Sequence, residues 1–292
     1  MFKGSIVAIV TPFKNGKLDE EALSNLIKWH ISEGTNAIVP CGTTGEASTL
    51  DYDEHYRVIE ITVKTANGKV PVIAGTGANS TDETMMITKK AKELGADGAL
   101  IVTPYYNKPT QEGLYKHYKL VAENVDIPIV LYNVPGRTGV NMLPQTVARL
   151  AEIKNIIGIK EATGDMKQVS EVIRLCGNRM TVLSGDDFTT LTLLALGGKG
   201  VISVSANVDP RNVSAMCKAW DEGNIKKARE LHFQLEPLNY AMFIETNPLP
   251  AKTALSMMGK IQEEFRLPLC PMSDVNKEKL KKVLINQGVL VK

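Results

Sequence analysis

The chain has 292 residues, close to twice a typical domain of roughly 150, which allows two modest domains or one large single-core fold such as a barrel. Its 34 lysines and arginines against 32 aspartates and glutamates leave a net charge of +2, too balanced for nucleic acid or an anionic membrane surface to be the main partner, so a small molecule is the default. With 43% hydrophobic and 23% charged residues, the composition excludes a disordered chain.

The apolar run at residues 6–10 stops at Thr11-Pro12, too short for a signal-peptide core, and nothing approaches the roughly 18 apolar residues of a membrane span. Cys41, Cys176, Cys217 and Cys270 are widely spaced with no C-x-x-C pair, which reads as reduced, mostly buried thiols in a cytoplasmic protein.

Eight Val- and Ile-rich runs predict strands at residues 5–10, 36–40, 71–75, 98–102, 128–132, 156–160, 180–184 and 200–203. Between them, amphipathic stretches predict helices at 19–33, 51–66, 80–94, 111–124, 144–152 and 166–176. Ser80 and Glu83 have capping-box spacing, and Pro144 suits a first helical turn. The strands are apolar throughout rather than alternating, as a parallel sheet covered on both faces requires. Eight such β-then-α units predict an α/β fold, a (β/α)8 TIM barrel over residues 1–224. Helical patterns at 213–222, 225–243, 252–258 and 275–287 add the barrel's last helix and a C-terminal helical unit at 225–292, broken at Asn247-Pro248 and Leu267-Pro268.

In such a barrel the chemistry sits just after the strands, at their C-terminal ends. There the chain carries Gly42-Thr43-Thr44-Gly45-Glu46, Thr103-Pro104-Tyr105-Tyr106-Asn107, residues Tyr132 to Gly139, Lys160-Glu161-Ala162 and Ser184-Gly185-Asp186-Asp187. Lys160 ends an otherwise apolar run; burial disfavours the charged form of an amine, and a neutral amine can attack a ketone to form a Schiff base. A structural pairing with Glu161 or another carboxylate is the alternative. The Thr43-Thr44 turn offers backbone amides to an anion, or else its threonines only cap the next helix. Arg137 can hold a carboxylate in bidentate fashion or lie idle on the surface, and Tyr105, Tyr106 and Tyr132 can relay protons or be packed with satisfied hydroxyls.

Gly75-Thr76-Gly77 lacks the third glycine of a dinucleotide fingerprint, and Gly197-Gly198-Lys199-Gly200 falls on the barrel's opposite face. His30, His55, His117 and His232 lie in helical segments without metal-ligand spacing, and Asp186-Asp187 reads as an N-terminal helix charge. No metal and no cofactor are expected.

Taken together, the strand-end motifs closely resemble the dihydrodipicolinate synthase family, within the class I pyruvate-dependent aldolases, over essentially the whole chain. The resemblance implies a lyase that condenses pyruvate with L-aspartate 4-semialdehyde to 4-hydroxy-tetrahydrodipicolinate on the diaminopimelate route to L-lysine. It assigns Lys160 to the pyruvate imine and Thr44, Tyr132 and a neighbouring subunit's Tyr106 to a proton relay. The Thr43 and Thr44 amides would bind the pyruvate carboxylate, Arg137 would bind the semialdehyde carboxylate, and Gly185 and Ile202 would line the pocket. It also implies a homotetramer of two tight dimers. An L-lysine inhibitory pocket would comprise Ala47, Ser48, Leu50, Tyr52, His55, Asn79, Glu83 and Tyr105, with Tyr52 standing where inhibited members carry histidine. Two other readings stay open: a sibling Schiff-base lyase acting on a 2-keto sugar acid, and a non-catalytic carboxylate-binding barrel.

Overall fold

The structure, a computed structural model, describes residues 2–290, so residues 1, 291 and 292 of the two predicted units lie outside it. Strands and helices alternate as β1 (Gly4–Ala8), α1 (Glu20–Ser32), β2 (Ala37–Val39), α2 (Tyr52–Ala66), β3 (Ile73–Gly75), α3 (Thr81–Glu93), β4 (Gly98–Val102) and α4 (Gln111–Asn124). They continue as β5 (Ile129–Asn133), α5 (Pro144–Leu150), β6 (Ile156–Glu161), α6 (Met166–Cys176), β7 (Thr181–Ser184), α7 (Thr190–Ala195), β8 (Gly200–Ser203) and α8 (Pro210–Asp221). Three helices follow: α9 (Ile225–Ala241), α10 (Leu249–Met257) and α11 (Asp274–Gln287).

The eight strands form one parallel sheet in the order β2-β1-β8-β7-β6-β5-β4-β3. Its two ends meet through a parallel bridge between Ile38 and Val72, with Ile38 N donating to Pro71 O at 3.0 Å and Gly75 N to Pro40 O at 2.9 Å. The result is a (β/α)8 barrel, thin at that one seam, with additional C-terminal helices. At the end of the barrel away from the predicted chemistry, Gly4 N donates to Lys199 O at 2.8 Å and clamps the start of β8 to β1.

Each strand buries side chains in both directions, which explains the unbroken apolar runs. Ile6, Val39, Leu100, Val130, Leu183 and Ile202 point inward and fill the barrel. The opposite faces pack under the helices in two further clusters. One of these runs on without a break into Leu231, Leu235 and Leu238 of α9, Leu255 of α10 and Leu280 and Leu284 of α11. Each such leucine contributes roughly 1.5–3 kcal/mol by leaving water, and this shared core seats the C-terminal helices against the barrel.

Local chemistry sets the helix starts. Asp19, Thr110, Asp165, Asp209 and Asn224 each accept an amide of the first turn, and Asp51 with Glu54 forms a complete capping box. Because Asp209 caps α8, that helix begins at Pro210 rather than at Val213. Beside short helical turns such as Pro135–Thr138, two elements lie outside the sequence expectation. One is α7; the other is a short hairpin, Phe13–Lys14 with Lys17–Leu18, turned by Asn15 and Gly16 at φ 56° and 76°.

Among the described residues, no helix is long and apolar enough to cross a membrane.

Candidate active site

The β6 register sets Lys160 opposite Tyr132 on β5 and Leu183 on β7. Lys160 is 5% exposed, and its Nζ lies 4.2 Å from the centre of the Tyr132 ring. Space for it comes from Gly185: a Cβ there would stand 3.0 Å from Lys160 Cε and 2.6 Å from Ala162 Cβ. Ile202 is fully buried in the same inner cluster as Tyr132. The alternative pairing of Lys160 with Glu161 is not formed, because the strand alternates and Glu161 faces the helices. Its carboxylate accepts from Asn133 Nδ2 at 3.2 Å, Gln168 Nε2 at 3.3 Å and Thr163 N at 3.0 Å. Burial still raises the Glu161 pKa above the ordinary glutamate value, against the lowering effect of those donors.

The turn after β2 is held tightly. Gly45 N and Glu46 N donate to Gly42 O and Thr43 O at 3.0 and 3.1 Å, and Cys41 and Glu46 adopt left-handed φ values of 55° and 52°. β3 reaches it closely enough that a Cβ on Gly75 would lie 2.0 Å from Cys41 O. Among the described residues, the Thr43 and Thr44 amides have no acceptor within the chain. Neither threonine caps a helix, since α2 is capped by Asp51. Two adjacent free amides at a strand end are available to an anion.

Thr43, Tyr132 and Arg137 line a cavity of about 620 Å³. The same cavity is lined by Ala47, Ser48, Leu50, Tyr52, His55, Glu83 and Tyr105, so it also includes seven of the eight residues named for the inhibitory pocket. Asn79 is not part of that lining; its backbone oxygen accepts from Asn107 Nδ2 at 2.9 Å. Tyr52 donates to Glu83 Oε1 at 2.7 Å, and that bond raises the tyrosine's pKa. His55 is buried against Gly75 O at 2.8 Å, and burial lowers its pKa. Tyr106 stands apart, 89% exposed with φ at 73° and outside the cavity lining.

Arg137 is exposed on the short helical turn Pro135–Thr138, and its Nη2 donates to Asn247 O at 3.3 Å. Asn247 Nδ2 in turn donates to Thr44 Oγ1 at 3.0 Å. Five residues on, Lys252 meets Glu46 Oε1 at 2.5 Å, with both side chains fully buried. The sequence signals neither contact: Asn247-Pro248 reads only as a helix break, though Lys252 is the one charged residue of α10. Asp187 also differs from its expected role. It is buried and accepts from Ser203 Oγ at 2.5 Å, Val204 N at 2.9 Å and Ser205 N at 3.1 Å, fastening the end of β8, while Asp186 accepts from Phe188 N at 3.3 Å. Among the described residues, no group of three or more His, Cys, Asp or Glu side chains could hold a metal ion.

A sequence profile of the Dihydrodipicolinate synthetase family matches residues 1–287. The chain belongs to this family. It is 72% identical over 290 residues to the 4-hydroxy-tetrahydrodipicolinate synthase of Thermodesulfovibrio yellowstonii, covering 99% of this chain and all of that one. The dihydrodipicolinate synthase crystal structure from Aquifex aeolicus superposes with a TM-score of 0.98 at 53% identity, with both chains covered completely. A chloride-inhibited dihydrodipicolinate synthase from Acinetobacter baumannii, complexed with pyruvate, superposes with a TM-score of 0.98 at 50% identity, covering 99% of this chain and 100% of that one. Family membership thus extends through the C-terminal helices, including Lys252 on α10 and Asn247 in the turn before it.

Proposed function

We propose that the chain is a lyase that condenses pyruvate with L-aspartate 4-semialdehyde to give 4-hydroxy-tetrahydrodipicolinate, a step of the diaminopimelate route to L-lysine. The observation that carries this reading is the buried Lys160 amine over the Tyr132 ring, whose side chain has room because residue 185 is glycine. In its neutral form the amine attacks the pyruvate ketone and, with loss of water, forms an imine. Removal of a methyl proton gives an enamine, whose carbon attacks the semialdehyde carbonyl as that oxygen takes up a proton. The substrate amine then adds to the imine carbon, the ring closes, and Lys160 leaves as the free amine.

The residue roles are those the family resemblance implies, and the chemistry of the side chains suits them. The Thr43 and Thr44 amides suit the pyruvate carboxylate, and Arg137 at the mouth suits the semialdehyde carboxylate in bidentate form. Gly185 and Ile202 shape the floor. Thr44, Tyr132 and Tyr106 form the proton relay, with Tyr106 supplied by a neighbouring copy; its exposure and outward position support that role. A site completed in this way requires a dimer, and we infer a homotetramer of two such dimers. We place the protein in the cytoplasm, where its four unpaired cysteines stay reduced. L-Lysine is proposed as an inhibitor bound by Ala47, Ser48, Leu50, Tyr52, His55, Asn79, Glu83 and Tyr105.

The initial rate of condensation, coupled to an excess of the downstream reductase and measured with and without L-lysine, tests the reading. A robust rate is expected. No rate from folded protein, with the coupling enzyme verified, would move the assignment to a sibling aldolase acting on another aldehyde.

A further inference from the structure

Asn247 sits between α9 and α10, far along the chain from either group that it touches. The residue is 6% exposed, its Nδ2 donates to Thr44 Oγ1 at 3.0 Å, and its backbone oxygen accepts from Arg137 Nη2 at 3.3 Å. Among the described residues its Oδ1 meets no donor, so its one side-chain hydrogen bond is the one to Thr44. A hydroxyl that accepts such a bond keeps its own proton for a different partner.

The segment is also anchored independently of that bond. Lys252 grips Glu46, two residues beyond Thr44, and Arg266 N donates to the other Glu46 oxygen at 3.2 Å. The catalytic turn and the Asn247 segment are therefore tied at two places, and Asn247 cannot drift from Thr44 without breaking a fully buried ion pair.

We propose that Asn247 is a positioning residue: its side-chain amide fixes the direction in which Thr44 donates its proton, while its backbone carbonyl fixes Arg137. The inference rests on the roles proposed above for Thr44 and Arg137. It divides the two duties between side chain and backbone, so replacing the side chain should disturb the relay and spare the carboxylate site.

The test uses the full-length protein with Asn247→Ala, Asn247→Asp, Thr44→Val and the Asn247→Ala/Thr44→Val pair. Borohydride trapping of pyruvate on Lys160 reports a folded site without needing the relay. For Asn247→Ala we expect trapping to persist, kcat to fall about 10- to 100-fold, and the KM for the semialdehyde to stay within about twofold. Adding Asn247→Ala to Thr44→Val should cost no more than about a further twofold, because the two side chains act as one unit. In Asn247→Asp the ionised carboxylate takes the Thr44 proton, so kcat should recover as the pH falls and the acid is protonated, a limb absent from the unmodified protein. Multiplicative losses in the double variant, a loss confined to KM, or loss of trapping in folded Asn247→Ala would each overturn the proposal. Absence of condensation by the unmodified protein would instead remove the functional reading beneath it.

Discussion

Lys160 and Tyr132 are register partners on β6 and β5, and the amine lies 4.2 Å from the centre of the tyrosine ring. Only the lysine can bond covalently to pyruvate, so the two side chains should fail differently when replaced. Lys160→Ala should leave the barrel folded, abolish borohydride-dependent attachment of pyruvate and lower turnover by roughly three orders of magnitude or more. Tyr132→Phe should retain attachment while turnover falls. Mass spectrometry of the reduced protein reads the first effect and the coupled assay the second; attachment surviving in Lys160→Ala would place the imine elsewhere.

Tyr106 leads to a prediction about mixed oligomers. The side chain is 89% exposed in a single chain, and under the proposed relay a neighbour's Tyr106 must enter the site. Tyr106→Phe and Lys160→Ala should each be nearly inactive alone. Co-expressed, half the sites keep Lys160 and half of those receive an intact Tyr106, so activity should return to about a quarter of the unmodified rate for random pairing in a symmetric dimer. No recovery from verified mixed oligomers would show that Tyr106 acts within its own chain or not at all.

The barrel was legible because its signal is local. A strand buried on both faces must be apolar along its whole length, and the runs around Ile6, Leu100 and Val130 show this directly. Lys160 stood out as the one charge at the end of such a run. The hairpin at Asn15-Gly16 did not stand out, because two-residue strands have no period to read. The Asn247 and Lys252 contacts were hidden for a different reason: Thr44 and Glu46 are about two hundred positions away, and a pairing across that span leaves no trace in either neighbourhood. Asp187 misled because an aspartate before a helix looks the same whether it serves its own helix or the next strand.

The Lys252–Glu46 pair should be costly to break and inexpensive to replace. Both side chains are fully buried, and burial lowers the Lys252 pKa even against the opposing effect of Glu46. Lys252→Met alone strands a buried carboxylate and should destabilise the fold by about 3–5 kcal/mol. Adding Glu46→Gln removes that charge and keeps an acceptor for Arg266 N, so most of the loss should be regained. Urea unfolding of the two single variants and the pair gives the coupling; losses that simply add would mean the ion pair carries no special weight.

Stability should fall as the solution becomes mildly acidic. His30 is fully buried with neither ring nitrogen partnered among the described residues, and burial lowers its pKa from 6.5 to about 3. His117 is likewise lowered by burial to about 4, with Nδ1 2.9 Å from Thr81 Oγ1. The unfolded chain takes up a proton near pH 6.5 while the folded chain resists, so this stability is complete above pH 6.5 and is lost progressively as pH falls, to about 4 for His117 and about 3 for His30. For His117 alone the full loss is roughly 3 kcal/mol. Glu161 and Asp186, raised by burial, act in the opposite sense, so the measurement compares variants. His117→Leu should flatten the fall in unfolding free energy between pH 7 and about pH 4 relative to the unmodified protein; an unchanged slope would show that His117 does not titrate as its burial requires.

Tyr52 and Glu83 bear on the proposed inhibition by L-lysine. Glu83 is one of the anionic groups on the cavity wall, and the Tyr52 hydroxyl already occupies one of its oxygens at 2.7 Å. A lysine ammonium entering there must displace that hydroxyl or share the carboxylate with it. Tyr52→Phe frees the carboxylate while keeping the ring, and should tighten inhibition by about threefold to tenfold, on the scale of one hydrogen bond of roughly 0.5–1.5 kcal/mol. Glu83→Gln should weaken it, because the ammonium then loses its charged partner. The condensation rate without L-lysine should change little in either variant, since neither side chain is assigned to the imine, the relay or the carboxylate sites. Dose–response curves for the three proteins decide the matter: if all three respond alike, L-lysine does not bind beside Glu83.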